Sequence, residues 1–81
     1  MRPGSIKDFG MTVRALRRAQ DLTQADLALT SGTNRRFIIE LERGKPTCQL
    51  GKALRVLATL GASLNIVPPQ GLQLDPPVDH E

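Results

Sequence analysis

Between Thr23 and Gly44, two helix-start signals and two helix stops follow one another in a span that leaves each helix barely two turns. Thr23 precedes Gln24-Ala25-Asp26, so its hydroxyl can accept from an orphan N–H, and Asp26 suits the positive end of a helix. Leu27-Ala28-Leu29 carry that helix as far as Ser31. Gly32 follows, where a left-handed conformation is cheapest without a Cβ. Thr33 and Asn34 then offer caps for a further helix over Arg35–Arg43, which Gly44 stops and Pro46 closes off. Helices this short are not stable alone and must bury a face against each other. Ala28 is small enough to let two helices cross closely, Gly32 supplies the turn, and Leu27, Ile38 and Leu41 point inward. That order and spacing predict a helix-turn-helix unit.

The flanks complete a small helical domain. Ser5, with Asp8 three residues on, marks the start of a helix over about residues 6–20, with Ile6, Phe9, Val13 and Leu16 at helical spacing. Lys7, Arg14, Arg17 and Arg18 fall mostly off that stripe. Thr47 is read as the cap of a fourth helix over about 48–60, with Leu50, Leu54 and Leu57 on one side and Gly61 at its end. Ser63-Leu64-Asn65-Ile66-Val67 then switches to period two, which predicts a short strand ended by Pro68 and Pro69. A lone strand leaves backbone groups unpaired. Either the same strand of a second copy pairs with it across a two-fold axis, burying Leu64 and Ile66, or the segment lies extended over the domain's own core. The expected organisation is therefore a helix-turn-helix domain over 1–62, a dimerisation strand over 63–67 and a flexible, acidic, Pro-rich tail over 68–81.

Charge points to the partner of this domain. Residues 1–67 hold all eleven Lys and Arg against five acids, a net +6, whereas 68–81 hold Asp75, Asp79 and Glu81 with no base. A basic body suits a polyanion, and an acidic tail does not. The 81 residues bury too little surface for great stability, which makes dimerisation a natural remedy. Cys48 is the only cysteine, so no internal disulfide and no metal site is expected. It reads as a small packing residue. His80, the only histidine, lies in the tail, and no Ser/His or Cys/His pairing and no glycine-rich phosphate loop can be placed. No catalytic residue, enzyme activity or cofactor is expected. Without an apolar run of ~18 residues or a signal-peptide core, the expectation is a cytoplasmic protein with no membrane contact.

The residues Phe9-Gly10, Val13-Arg14, Arg17, Leu22-Thr23-Gln24-Ala25-Asp26-Leu27-Ala28, Gly32 and Ile38 through Leu41-Glu42-Arg43-Gly44-Lys45 resemble the Cro/C1-type helix-turn-helix family. The resemblance covers roughly residues 6–62 and implies an all-α, four-helix, lambda-repressor-like DNA-binding domain. Leu60-Gly61-Ala62-Ser63-Leu64-Asn65-Ile66-Val67 narrows it towards HipB-like antitoxins, whose four helices are followed by a short C-terminal strand pairing across a dimer. Ser31 and Thr33 depart from the family, which usually has apolar residues beside that glycine.

With Ile38 and Leu41 turned to the core, Arg35, Arg36, Ile39, Glu40 and Arg43 share the other side of the third helix. Matched to the phage-repressor motif, Arg35 and Arg36 fall at the N-terminal positions that read bases. An arginine fork there can engage guanine O6 and N7 together, although contact with phosphate alone is the plainer role. Ile39 is a candidate for a thymine methyl, or else peripheral core. Glu40 is favoured as an i+4 partner of Arg36, with a cytosine amino group as its other option. Thr23, Gln24, Asn34, Arg43 and Lys45 are the expected phosphate ligands, the first two because a helix N-terminus attracts an anion. The resemblance also implies a structural ion pair between Arg17 and Glu42.

On this reading the chain is an antitoxin that represses its own operon as a homodimer on palindromic DNA and neutralises a HipA-like serine/threonine kinase toxin. The alternative is a stand-alone repressor of the same family with no toxin partner.

Overall fold

Among the described residues, three of the four helices begin where a side chain takes over an orphan N–H. The computed structural model describes residues 5–75, with α1 at Ile6–Ala19, α2 at Gln24–Ser31, α3 at Arg35–Arg43 and α4 at Leu50–Thr59. Ser5 accepts from the Asp8 N–H at 3.2 Å, Thr23 from Asp26 at 3.0 Å, and Asn34 from Phe37 at 2.8 Å. At Thr23 the exchange is mutual, because the Asp26 carboxylate accepts from the Thr23 N–H at 3.0 Å and completes a capping box.

The fourth helix starts later than the sequence predicts. Thr47 does not cap it. The Cys48 N–H is used on the Lys45 carbonyl, so the chain is still turning there, and α4 starts after Gln49, which makes no side-chain cap. Of Leu50, Leu54 and Leu57, which share one side of the helix, only Leu57 is buried. Ala53, Val56, Leu57 and Leu60 face the core, while Leu50 and Leu54 are exposed. Both stripes have helical spacing and share Leu57, so periodicity alone does not choose between them.

The core gathers Val13 from α1, Leu27 and Ala28 from α2, Phe37, Ile38 and Leu41 from α3, and the buried face of α4. α3 packs on α1 and α2, and α2 also packs on α4. The crossing of α1 with α3 is close enough to require Gly10, since a Cβ there would stand 2.7 Å from the Glu42 carbonyl oxygen. Gly32 has φ 70°, the left-handed turn expected between α2 and α3. Ser31, beside it, is buried but satisfied: its hydroxyl donates to the Leu27 carbonyl at 2.6 Å and lies 2.9 Å from the Thr33 hydroxyl.

Beyond α4, Gln20 reaches from the end of α1 to the Leu60 carbonyl at 2.9 Å. Residues 63–67 are exposed, and no strand is formed among the described residues. Leu64 helps line an apolar groove with Phe9, Leu16, Leu57 and Ala62, whereas Ile66 is 86% exposed. The start of the tail makes a turn in which Leu72 donates to the Pro69 carbonyl at 3.1 Å, with Gly71 at φ 84°. The tail residues Pro76, Pro77, Val78, Asp79, His80 and Glu81 lie outside the described residues. Among the described residues, no helix is long and apolar enough to cross a membrane.

Candidate nucleic-acid interface

Asn34 caps α3 with its Oδ1 and so keeps its amide nitrogen for another acceptor. Arg35 and Arg36 come next, and both are exposed at the N-terminal end of the helix. Ile39 is half-buried one turn later, and Arg43 is exposed in the last turn. The inward side of the same helix carries Phe37, Ile38, Leu41 and Glu42, all buried. α3 is therefore held from one side and presents the other.

Arg35 borders two adjoining grooves. One also takes in Arg14, Gln24, Ile39 and Arg43, and the other Arg18, Thr23 and Ala25 at the start of α2. The fold thus brings Thr23, Gln24, Arg35, Ile39 and Arg43 onto one connected surface, whereas Asn34, Arg36 and Lys45 border a separate groove on the other flank of α3. To the connected surface it adds Arg14 and Arg18, to which the sequence alone assigns no role here. Arg14 lies one turn before Arg17, whose side chain reaches α3, and that spacing was the available signal.

The surface is braced from beneath. Arg17 Nε donates to Glu42 Oε2 at 2.6 Å and Nη2 donates to Oε1 at 3.1 Å, a buried bidentate pair. Arg17 Nη1 also donates to the Leu22 carbonyl at 2.7 Å. Gln24 Nε2 donates to Glu42 Oε1 at 3.2 Å, so one carboxylate connects α1, α2 and α3. One amide hydrogen of Gln24 remains for an outside acceptor. Thr23 is engaged with Asp26 through the capping box, which leaves the first N–H groups of α2 as donors at the helix end.

On the opposite flank of α3, Glu40 Oε2 lies 3.1 Å from Lys45 Nζ and 3.5 Å from Arg36 Nε. The hydrogen bond from Lys45 holds the Glu40 carboxyl below its ordinary value of 4.5, against a smaller opposing effect of burial. Nearby, Lys52 stands 5.8 Å from the centre of the Phe37 ring and spans α4 and α3. Burial pushes the half-buried Cys48 thiol up from 9.0, away from thiolate character. Among the described residues no group of side chains suited to a metal ion is present.

The family model described as helix-turn-helix matches residues 13–67. The chain belongs to the Cro/C1-type helix-turn-helix family. An uncharacterized HTH-type transcriptional regulator of Sinorhizobium fredii, y4mF, is 52% identical over 62 residues, covering 76% of this chain and 82% of the relative. Among solved structures, the restriction-modification controller protein C.AhdI from Aeromonas hydrophila is 33% identical, with a TM-score of 0.65 over 72% of this chain and 84% of its own. HipB in the HipA–HipB–O2–O3 complex superposes with a TM-score of 0.78 at 18% identity, over 86% of this chain and 99% of its own. That last likeness is one of fold. As a Cro/C1-type protein, the chain is a DNA-binding transcriptional regulator.

Proposed function

We propose that this regulator is the antitoxin of a two-component toxin–antitoxin module. It represses its own operon as a homodimer on a palindromic site and binds and neutralises a HipA-like serine/threonine kinase toxin. The observation that carries the DNA-reading part is the exposed Arg35 and Arg36 at the N-terminal end of a helix held from behind, with Ile39, Arg14 and Arg43 bordering the same groove as Arg35. A recognition helix enters the major groove by that end. The likeness to HipB supports the antitoxin part because it covers 86% of this chain, more than residues 1–62 can supply, so it extends past the four helices. C.AhdI covers only 72%.

The 63–67 segment supports the dimer. Its backbone has no strand partner in the chain among the described residues, and Leu64 and Ile66 are exposed, as are Leu50 and Leu54 of α4. Antiparallel pairing of two copies satisfies that backbone and sets two recognition helices about one DNA turn, ~34 Å, apart.

A stand-alone repressor is favoured by one observation, the higher identity to C.AhdI than to HipB. Two measurements decide. Gel shifts on the protein's own upstream region should show specific binding, and Arg35→Ala or Arg36→Ala should lose ~1–3 kcal/mol there and flatten discrimination at one base position. Equal losses on operator and random duplex would show that these arginines are not base readers. Co-purification with the product of an adjacent kinase-like gene supports the antitoxin reading, and its failure leaves the stand-alone repressor.

A further inference from the structure

Glu40 is a carboxylate on a surface that otherwise suits phosphate. Its Oε2 is bracketed by Lys45 Nζ at 3.1 Å and Arg36 Nε at 3.5 Å, although the Arg36 side chain is 87% exposed and free to extend outward. The other flank of α3 is arranged differently. Among the described residues Arg14, Arg35 and Arg43 make no ion pair, and Glu42 faces inward to Arg17. One flank thus offers unpaired cations, while on the other two cations share one anion.

We propose that Glu40 is a specificity-determining residue: its carboxylate withholds Arg36 and Lys45 from arbitrary duplex and releases them where a cytosine amino group takes their place. This rests on α3 being the recognition helix. On random DNA the phosphates repel Glu40, and each contact by Arg36 or Lys45 must be made against its pull, so fewer counterions are released. Opposite a cytosine, the N4 amino group donates to the carboxylate in the major groove. Arg36 is then free for a guanine edge and Lys45 for a phosphate. Guanine and thymine present O6 and O4 acceptors that repel a carboxylate, and adenine sets its N7 acceptor beside its amino group. At a wrong base the carboxylate meets an acceptor and keeps Arg36 and Lys45 as its own partners, so the penalty is the loss of the contacts those two cations would make to DNA.

The test uses the full chain and the neutral isostere Glu40→Gln. Binding to the upstream operator and to a random duplex of equal length is measured over a salt series. Random-duplex affinity should rise about tenfold, with the slope of log affinity against log salt steepening by about 1, while operator affinity stays level or falls. Replacing each operator cytosine by thymine should find a position that weakens the native protein but not Glu40→Gln. In a Lys45→Ala background the gain from Glu40→Gln on random duplex should shrink. A parallel rise on both DNAs, or no change on either with an unchanged unfolding midpoint, overturns the proposal. If the native protein itself shows no preference for the operator, the recognition-helix reading fails first and takes this inference with it.

Discussion

A carboxylate buried where three helices meet is tolerable only if every lone pair that matters is engaged, and at Glu42 both oxygens are. Arg17 takes both and Gln24 shares one. Removing either charge strands the other, so Arg17→Ala or Glu42→Ala should each destabilise the fold by ~3 kcal/mol or more in urea unfolding. The double variant should lose clearly less than the sum of the two, and strict additivity would show that the pair is not coupled. Gly10 is the second sensitive point. Its neighbours are backbone atoms of α3, which cannot swing aside, so Gly10→Ala should lower stability by ~1–3 kcal/mol in the same assay. Spacing alone sets Arg17 off the apolar stripe of its helix, yet the residue is only 9% exposed. Periodicity ranks residues by polarity and does not register a polar residue buried by its partner. That burial was legible only through the family likeness.

At the scale of elements, local chemistry made α1 to α3 readable: a side-chain cap at each start and a left-handed glycine after α2 and α3. α4 lacks a side-chain cap, and its start is the part that the sequence misplaces. The surface around Arg35 was legible for the same reason as α3, because the buried residues leave only one side outward. Arg14 and Arg18 were not, since their place depends on how α1 crosses the other two helices. The capping box lends itself to two measurements. Thr23→Ala should reduce stability by ~1 kcal/mol, visible as a lower thermal midpoint. The hydrogen bonds from the Thr23 backbone N–H, then its hydroxyl, hold the Asp26 carboxyl below its ordinary value of 3.8. A depressed folded-state value means the contribution is present above pH 3.8 and is lost as pH falls through the lowered value. The thermal midpoint should therefore drop with acidification through that window, and Asp26→Asn should flatten this part of the profile.

For the whole molecule, charge and chain direction separate the roles. The body over 1–67 carries a net +6 and residues 68–81 carry −3, so the tail opposes phosphate contact. Truncation after Val67 should leave operator affinity equal or slightly tighter in gel shifts, while lengthening cellular lifetime or loosening the toxin complex. If half-life and toxin affinity both stay the same, the tail is only a spacer. Removing 63–81 should instead give a monomer that binds DNA weakly, and sedimentation showing an intact dimer would exclude the strand-paired arrangement. The two-sided character of α3 also bears on how such regulators diverge. Phe37, Ile38, Leu41 and Glu42 secure the helix from within, while Arg35, Arg36 and Glu40 contribute little to that hold. Substitutions at exposed positions of this kind usually alter stability by no more than ~0.5 kcal/mol. A duplicated copy of the gene could therefore drift to a new operator through its outward residues alone, without passing through an unfolded intermediate, and two copies could become insulated from each other's promoters while keeping one interchangeable scaffold.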